Sequence, residues 1–244
     1  MTVAIVQQRS DVAERMAQVR VYNGGEAALA LAGVRVDDSR FAASVEIEAD
    51  AELAPGRTVD LRFALPEVAC GGDVEVRRSV ALELADDEEV VADLTGADDF
   101  TNALHERECL MRDIAQTATL EWSDFVPSAP GAPAHAMLTA TPTGAGEPIE
   151  LRGIRSTNLL RFKPKDGEFW KLGLELDAGS PVTGVEVPLV PQRCDPHVVQ
   201  EDKRGTIFTI DVEEPREGSV ELKMPPEMKA RVLTWVAEWC EFGK

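Results

Sequence analysis

The densest group of residues that could do chemistry lies in the stretch 193–206. Asp195 and Pro196 are typical of a helix N-cap and the residue after it, and such a helix would place His197 and Glu201 on one face. Asp195, His197 and Glu201 could then bind a divalent cation, or Glu201 could tune His197 as a general base. The same residues also fit a capped turn with an ion pair. Because the sequence shows no second group of ligands, we favour the turn and predict no metal and no cofactor.

The other two histidines, His105 and His135, offer less. His105 precedes Glu108 and Cys109 by three and four residues on a predicted helix. If Cys109 were reduced, the two could ligate zinc together, or His105 could lower the pKa of the thiol. We favour a surface histidine beside a disulfide. His135 is expected in a Pro/Ala-rich loop without a nearby carboxylate or cysteine, and we make no claim for it.

The motifs of the common enzyme classes are absent from the chain. It has no P-loop, no glycine-rich dinucleotide motif, no G-x-S-x-G and no H-E-x-x-H. The acidic run 86–89 lacks the spacing of a calcium loop and is typical of a solvated hairpin end. The pair Phe169 and Trp170 could offer an aromatic contact to a ligand, although core packing is the better interpretation. We therefore predict a protein without catalytic residues.

Composition and charge limit the partners. The 244 residues are 44% hydrophobic and 28% charged, which is typical of a packed protein. The net charge of −19 disfavours sequence-independent binding to nucleic acid and adhesion to anionic lipid. No apolar run reaches the length of a membrane span, so we predict no membrane insertion. The expected partner is a protein or another molecule of the cell surface.

Short alternating segments dominate both halves of the chain. In residues 58–65 every second side chain is apolar, so these side chains share one face of a strand while Asp60 and Arg62 face water. Strand starts that recur about every eight to twelve residues are typical of a β-sandwich. The predicted strands are 18–22, 28–36, 41–49, 58–65, 74–77, 80–84, 90–91, 118–122, 136–140, 149–154, 172–176, 182–190, 206–212 and 219–224.

Two amphipathic helices accompany the strands. The first is predicted over 100–111, capped by Asp98 or Asp99. The second begins at the Pro225-Pro226 pair and runs through Trp239. The proline-rich segment 126–133 is predicted to be a loop.

An internal repeat relates the two halves. Thr58 to Cys70 and Thr183 to Cys194 are each an alternating strand that ends in a proline-containing segment and a cysteine. In each half a second cysteine, Cys109 or Cys240, falls at the end of the helix. We interpret this as a tandem duplication into two β-sandwich domains, 1–113 and 114–244, each ending in a short helix.

The repeat selects one of the three ways to pair four cysteines: Cys70 with Cys109, and Cys194 with Cys240. Two such disulfides indicate an oxidising compartment, hence secretion or the cell envelope, although the first residues do not show the pattern expected of a secretory leader. The alternative is four buried, reduced thiols in a cytoplasmic protein.

The stretch 193–206 and the strand followed by Leu65-Pro66 and Cys70 resemble segments of an uncharacterised family of secreted or envelope-associated bacterial proteins. The resemblance implies tandem immunoglobulin-like domains and supplies no activity. The function expected is a non-enzymatic extracellular or cell-envelope interaction module. One alternative is a metal-dependent binder or hydrolase centred on Asp195, His197 and Glu201, and another is a structural subunit of a virion or surface assembly.

Overall fold

The computed structural model describes residues 1–8, 10–12, 14–71, 75–92, 94–95, 98–163, 167–196 and 204–242. The chain divides into two compact units, 1–109 and 110–244. The boundary predicted after residue 113 lies four residues beyond this division, within the same helix.

The first unit consists of two four-stranded sheets, ordered β5-β2-β1-β8 and β4-β3-β6-β7. Neighbouring strands are antiparallel except β1 and β8, which are parallel. Apolar side chains from both sheets form one core, which includes Val19 and Val21 from one sheet and Val36 and Leu82 from the other. The strands are β1 (Thr2–Val6), β2 (Met16–Tyr22), β3 (Leu29–Asp38), β4 (Val45–Leu53), β5 (Thr58–Ala64), β6 (Arg78–Leu84), β7 (Glu89–Ala92) and β8 (Leu94–Thr95).

The second unit also has two four-stranded sheets, ordered β12-β14-β10-β9 and β13-β11-β15-β16, in which all neighbouring strands are antiparallel. Its core likewise draws on both sheets. The strands are β9 (Ala118–Val126), β10 (Ala134–Pro142), β11 (Ile149–Arg155), β12 (Leu160–Phe162), β13 (Phe169–Leu176), β14 (Thr183–Pro191), β15 (Ile207–Glu214) and β16 (Gly218–Lys223). The protein is thus mostly β, with two tandem sandwiches of immunoglobulin-like strand order.

Two helices are described over their whole length: α1 (Asp98–Thr117) and α2 (Pro226–Trp239). The helix predicted over 100–111 continues to residue 117, because Leu110 and Ile114 in its second half are buried in the core of the second unit. Helix α2 begins with Pro226 in its first turn and buries Met228, Val232, Trp235 and Val236.

Each of the two aligned segments of the predicted repeat forms a strand that pairs with the second strand of its unit. Strand β5 pairs with β2 in the first unit, and β14 pairs with β10 in the second. Each of these strands is followed by a cysteine, and the disulfides join Cys70 to Cys109 and Cys194 to Cys240, which is the predicted pairing.

A further correspondence was not predicted. Strands β3 and β11 carry the same pattern, Leu-x-Gly-Val/Ile-Arg, at 31–35 and 151–155. In both strands the ladder shifts register between the leucine and the glycine, which is a β-bulge.

Some local predictions were wrong. Strand β1 was missed because residues 3–6 are all apolar and show no alternation of polar and apolar side chains. Residues 75–77, predicted as part of a strand, form none, since the backbone of Arg77 bonds to both the N–H and the hydroxyl of Ser39. Strand β4 begins at Val45 and not at residue 41, because Phe41 pairs with Val68 in an isolated bridge.

Candidate ligand pocket

A pocket of about 230 Å³ opens on the surface of the second unit. It combines two cations with an apolar floor and a tryptophan. The lining residues are Gly131, Arg161, Phe162, Lys163, Gly167, Val190 and Trp239.

The short strand β12 places the cations. Leu160 and Phe162 point into the core and are 0% and 3% exposed, so the alternation of a strand turns Arg161 outward. Arg161 lies opposite Val190 of β14, which puts an aliphatic side chain beside the base of the guanidinium stem. Lys163 follows the strand, and its Nζ donates a hydrogen bond of 3.4 Å to the carbonyl of Gly131.

The loop that contains Gly131 is attached to helix α2 by hydrogen bonds from two tryptophans that are four residues apart. The indole N–H of Trp235 donates to the carbonyl of Ser128 at 3.1 Å, and that of Trp239 donates to the carbonyl of Ala132 at 3.0 Å. The hydroxyl of Ser128 also donates to the carbonyl of Ala132, at 2.7 Å. These bonds fix the predicted loop, in which Gly131 has a φ of 86°. The rim of the pocket is therefore held in place by the helix.

The second disulfide adds a covalent tether. Cys240 follows Trp239 directly, and it is bonded to Cys194, three residues beyond the end of β14. The floor is fixed as well, since Phe162 lies 6.3 Å from Trp170 and 6.5 Å from Phe208 between ring centroids. Trp170 thus packs at the core as expected, whereas Phe169 is exposed.

The pocket carries two positive charges. Within the described part of the chain, no carboxylate lies within 4.0 Å of the charged groups of Arg161 or Lys163. Two arginines on β11, in the other sheet of this unit, are instead paired with carboxylates. Arg152 and Arg155 bond to Glu213 and Asp211 at 3.3 and 2.8 Å. The cations of the pocket are available to an external anion.

The predicted site around 193–206 is only partly described. Asp195 is exposed and interacts with another group of the protein. His197 and Glu201 lie outside the described residues. Their joint role stays a prediction. Among the residues that the structure does describe, no group of three or more His, Cys, Asp or Glu side chains could hold a metal ion.

The remaining histidines are both described. His105 lies on α1 beside the first disulfide, with its Nε2 3.6 Å from the Sγ of Cys109. The prediction for His135 was wrong: it lies on β10, not in a loop, and its Nδ1 is 2.9 Å from a carboxylate oxygen of Glu186. Glu186 was overlooked because it is 51 residues away in sequence, on strand β14.

Sequence reasoning did not identify Arg161, Lys163 and Trp239 as a site. These residues come from β12, the segment after it and α2, and only tertiary structure brings them together. The one local signal is a pair of basic residues flanking a buried aromatic in a chain of net charge −19.

Comparisons with known proteins identify no family. No protein-family model and no curated protein matches the chain. The Pseudomonas aeruginosa CupB2 chaperone structure is 12% identical over 89% of this chain and 94% of that chain, with a TM-score of 0.21. The structure of CBD12 from CALX1.2 is 13% identical over 84% of this chain and 75% of that chain, with a TM-score of 0.22. TM-scores this low carry no information about binding or activity. Over the described residues, no helix has both the length and the apolar character needed to cross a bilayer.

Proposed function

We propose that this protein is a non-enzymatic extracellular or cell-envelope binding module, and that its second unit binds a small anionic group in the Arg161–Lys163–Trp239 pocket. The observation that carries the proposal is the pair of cations without a carboxylate partner among the described residues, set over an apolar floor. A carboxylate or phosphate oxygen is the chemical complement of such a pair.

Size and shape narrow the ligand class. A volume of about 230 Å³ lies below the usual range of drug-sized sites, so the pocket accommodates one anionic group and a small ring or aliphatic part. The planar guanidinium of Arg161 suits bidentate recognition of a carboxylate or phosphate, and Lys163 adds a point charge. Val190 and Trp239 offer apolar surface to the remainder of the ligand.

The fixed walls also support binding. The β12–β14 ladder, the two indole hydrogen bonds and the Cys194–Cys240 disulfide hold the lining elements before any ligand arrives. A site that is already ordered loses little conformational entropy on binding.

The lining favours binding over catalysis. Apart from Lys163, whose Nζ donates to the carbonyl of Gly131, the described lining residues include no side chain that could act as nucleophile or general base. Two disulfides are compatible with an oxidising compartment, which supports placing this module outside the cytoplasm.

Calorimetric titration with benzoate tests the proposal, with benzamide as an uncharged probe of nearly the same shape. We expect benzoate to bind and benzamide not to bind. Affinity for benzoate should fall at least tenfold in Arg161→Gln and in Lys163→Gln, since each removes one charge. It should also weaken as salt is raised, because exposed charges are screened.

The matched control is Lys223→Gln, which removes an exposed lysine on β16 outside the lining set. It should leave the benzoate affinity unchanged. Equal binding of benzoate and benzamide, or equal losses in the control and in the pocket variants, would show that the pocket does not recognise anions.

A further inference from the structure

The Cys70–Cys109 disulfide differs from an ordinary structural cross-link in what surrounds its two sulfurs. It joins the segment after β5 to helix α1. Cys109 is 1% exposed, while Cys70 is half-buried. A thiol from solvent therefore reaches the sulfur of Cys70 more easily than that of Cys109.

His105 lies against the buried sulfur. Its Nε2 is 2.9 Å from the carbonyl oxygen of Ala69 and 3.6 Å from the Sγ of Cys109. Because a carbonyl only accepts hydrogen bonds, the short contact with Ala69 places a proton on Nε2. The Sγ of Cys109 lies 3.6 Å from the same nitrogen, so once the disulfide opens this N–H can be shared between the Ala69 carbonyl and the Cys109 thiolate and stabilise the thiolate.

We propose that Cys70–Cys109 is a thiol–disulfide exchange site for a dithiol, with Cys70 as the sulfur attacked and Cys109 as the leaving group. A thiolate of the dithiol bonds to Sγ of Cys70 and the Cys70–Cys109 bond breaks. Cys109 leaves as a thiolate beside the N–H of His105. The second thiolate of the dithiol then attacks the dithiol sulfur that is bonded to Cys70. A disulfide closes within the dithiol, and Cys70 leaves as a thiolate. The dithiol is oxidised to a disulfide, and both cysteines take up a proton to become thiols.

His105 acts here as a positioning residue for the leaving thiolate. Exchange is faster when the leaving thiol has a lower pKa, and a neighbouring imidazole N–H lowers it. The second disulfide is an internal reference, since no histidine in the described part of the chain contacts Cys194 or Cys240.

The first experiment measures the opening of each disulfide in excess dithiothreitol, by alkylation at timed intervals and peptide mass spectrometry. In His105→Ala, the opening of Cys70–Cys109 should slow about tenfold, because its leaving thiolate loses its hydrogen-bond donor. In His105→Gln, whose side-chain amide keeps an N–H, the rate should recover in part. The rate for Cys194–Cys240 should be the same in all three proteins.

The second experiment needs no variant. Glutathione, a monothiol, should leave a mixed disulfide on Cys70 and an alkylatable thiol on Cys109. Adducts on Cys109, or equal opening rates for Cys70–Cys109 in the wild type and in both His105 variants, would overturn the proposal. If His105→Ala fails to fold, the adduct position and the His105→Gln rate still decide it.

Discussion

The side chains of Asp38 and Arg40 form an ion pair that is almost entirely removed from water. They are 0% and 2% exposed, and Nε of Arg40 donates to Asp38 at 2.8 Å. The guanidinium also donates to the carboxylate through Nη2 and to the side-chain carbonyl of Asn102 on α1. The pair therefore connects the corner after β3 to the helix. Because both side chains are buried, water could not solvate one charge if the other were removed, so each charge needs the other for its stabilisation.

We expect Arg40→Met to destabilise the first unit by about 3–5 kcal/mol, since it leaves Asp38 buried without a countercharge. Urea denaturation measures the change. Arg35→Met is the control: Arg35 contacts Asp37 and Glu89 at the surface, where an ion pair contributes at most about 1 kcal/mol. The double variant Asp38→Asn with Arg40→Met should be more stable than Arg40→Met alone. Similar losses in Arg40→Met and Arg35→Met would contradict this account.

The ion pair between Arg20 and Asp60 is at the surface and gives a dependence on pH. Hydrogen bonds from Arg20, at 2.7 and 2.8 Å, lower the pKa of the Asp60 carboxyl in the folded state. A lowered folded pKa means that the stabilisation is present above the unfolded pKa and is lost as the pH falls through the folded one.

Asp60→Asn should therefore destabilise the protein at neutral pH and cease to do so in acid. The side chains of Arg20 and Asp60 are 44% and 32% exposed, so the difference at pH 7 should be only about 0.2–1 kcal/mol. Urea titrations of both proteins between pH 7 and about pH 2 measure the convergence. A difference that stays constant over this range would mean that the carboxylate charge is not what stabilises the strand pair.

At the scale of elements, the bulged glycines of β3 and β11 provide a matched pair. A Cβ on Gly153 would lie 2.6 Å from the backbone oxygen of Trp170, which belongs to the neighbouring strand. A Cβ on Gly33 would meet the carboxylate end of Glu83 at 2.7 Å, and that side chain can move away. The same pattern thus has different constraints in the two units.

We expect Gly153→Ala to cost about 1–3 kcal/mol, because backbone must shift to admit the methyl group. Gly33→Ala should stay within about 0.5 kcal/mol of the wild type. Chemical denaturation of both variants tests the contrast. If Gly33→Ala proved the more harmful, Glu83 would have to be fixed more firmly than its exposed position implies.

The elements show what a sequence pattern can and cannot predict. Strand β5 was found because its side chains alternate between core and water, a property of the strand itself. The end of α1 was missed because its second half is fixed by another core, where Leu110 and Ile114 pack. The pocket was missed for the same reason, as Arg161 and Trp239 are 78 residues apart in sequence. Periodicity reports local environment, whereas a site depends on which distant elements meet.

At the scale of the molecule, each unit has its own core and its own disulfide. The two cores share no residue, and each disulfide has both cysteines within or at the edge of one unit. The loops that they close span 39 and 46 residues, so each disulfide should stabilise its unit by about 4 kcal/mol through the entropy of the unfolded chain.

This organisation predicts that the disulfides act separately on unfolding. Calorimetry of Cys70→Ser with Cys109→Ser should show one transition lowered and another at its wild-type temperature. The reciprocal variant, Cys194→Ser with Cys240→Ser, should lower the transition that the first variant left in place. If either variant lowered all unfolding together, the units would be one cooperative structure, and the repeat in the sequence would no longer correspond to two independently stabilised sandwiches. Two separable transitions, each governed by its own disulfide, are what a duplicated unit would retain.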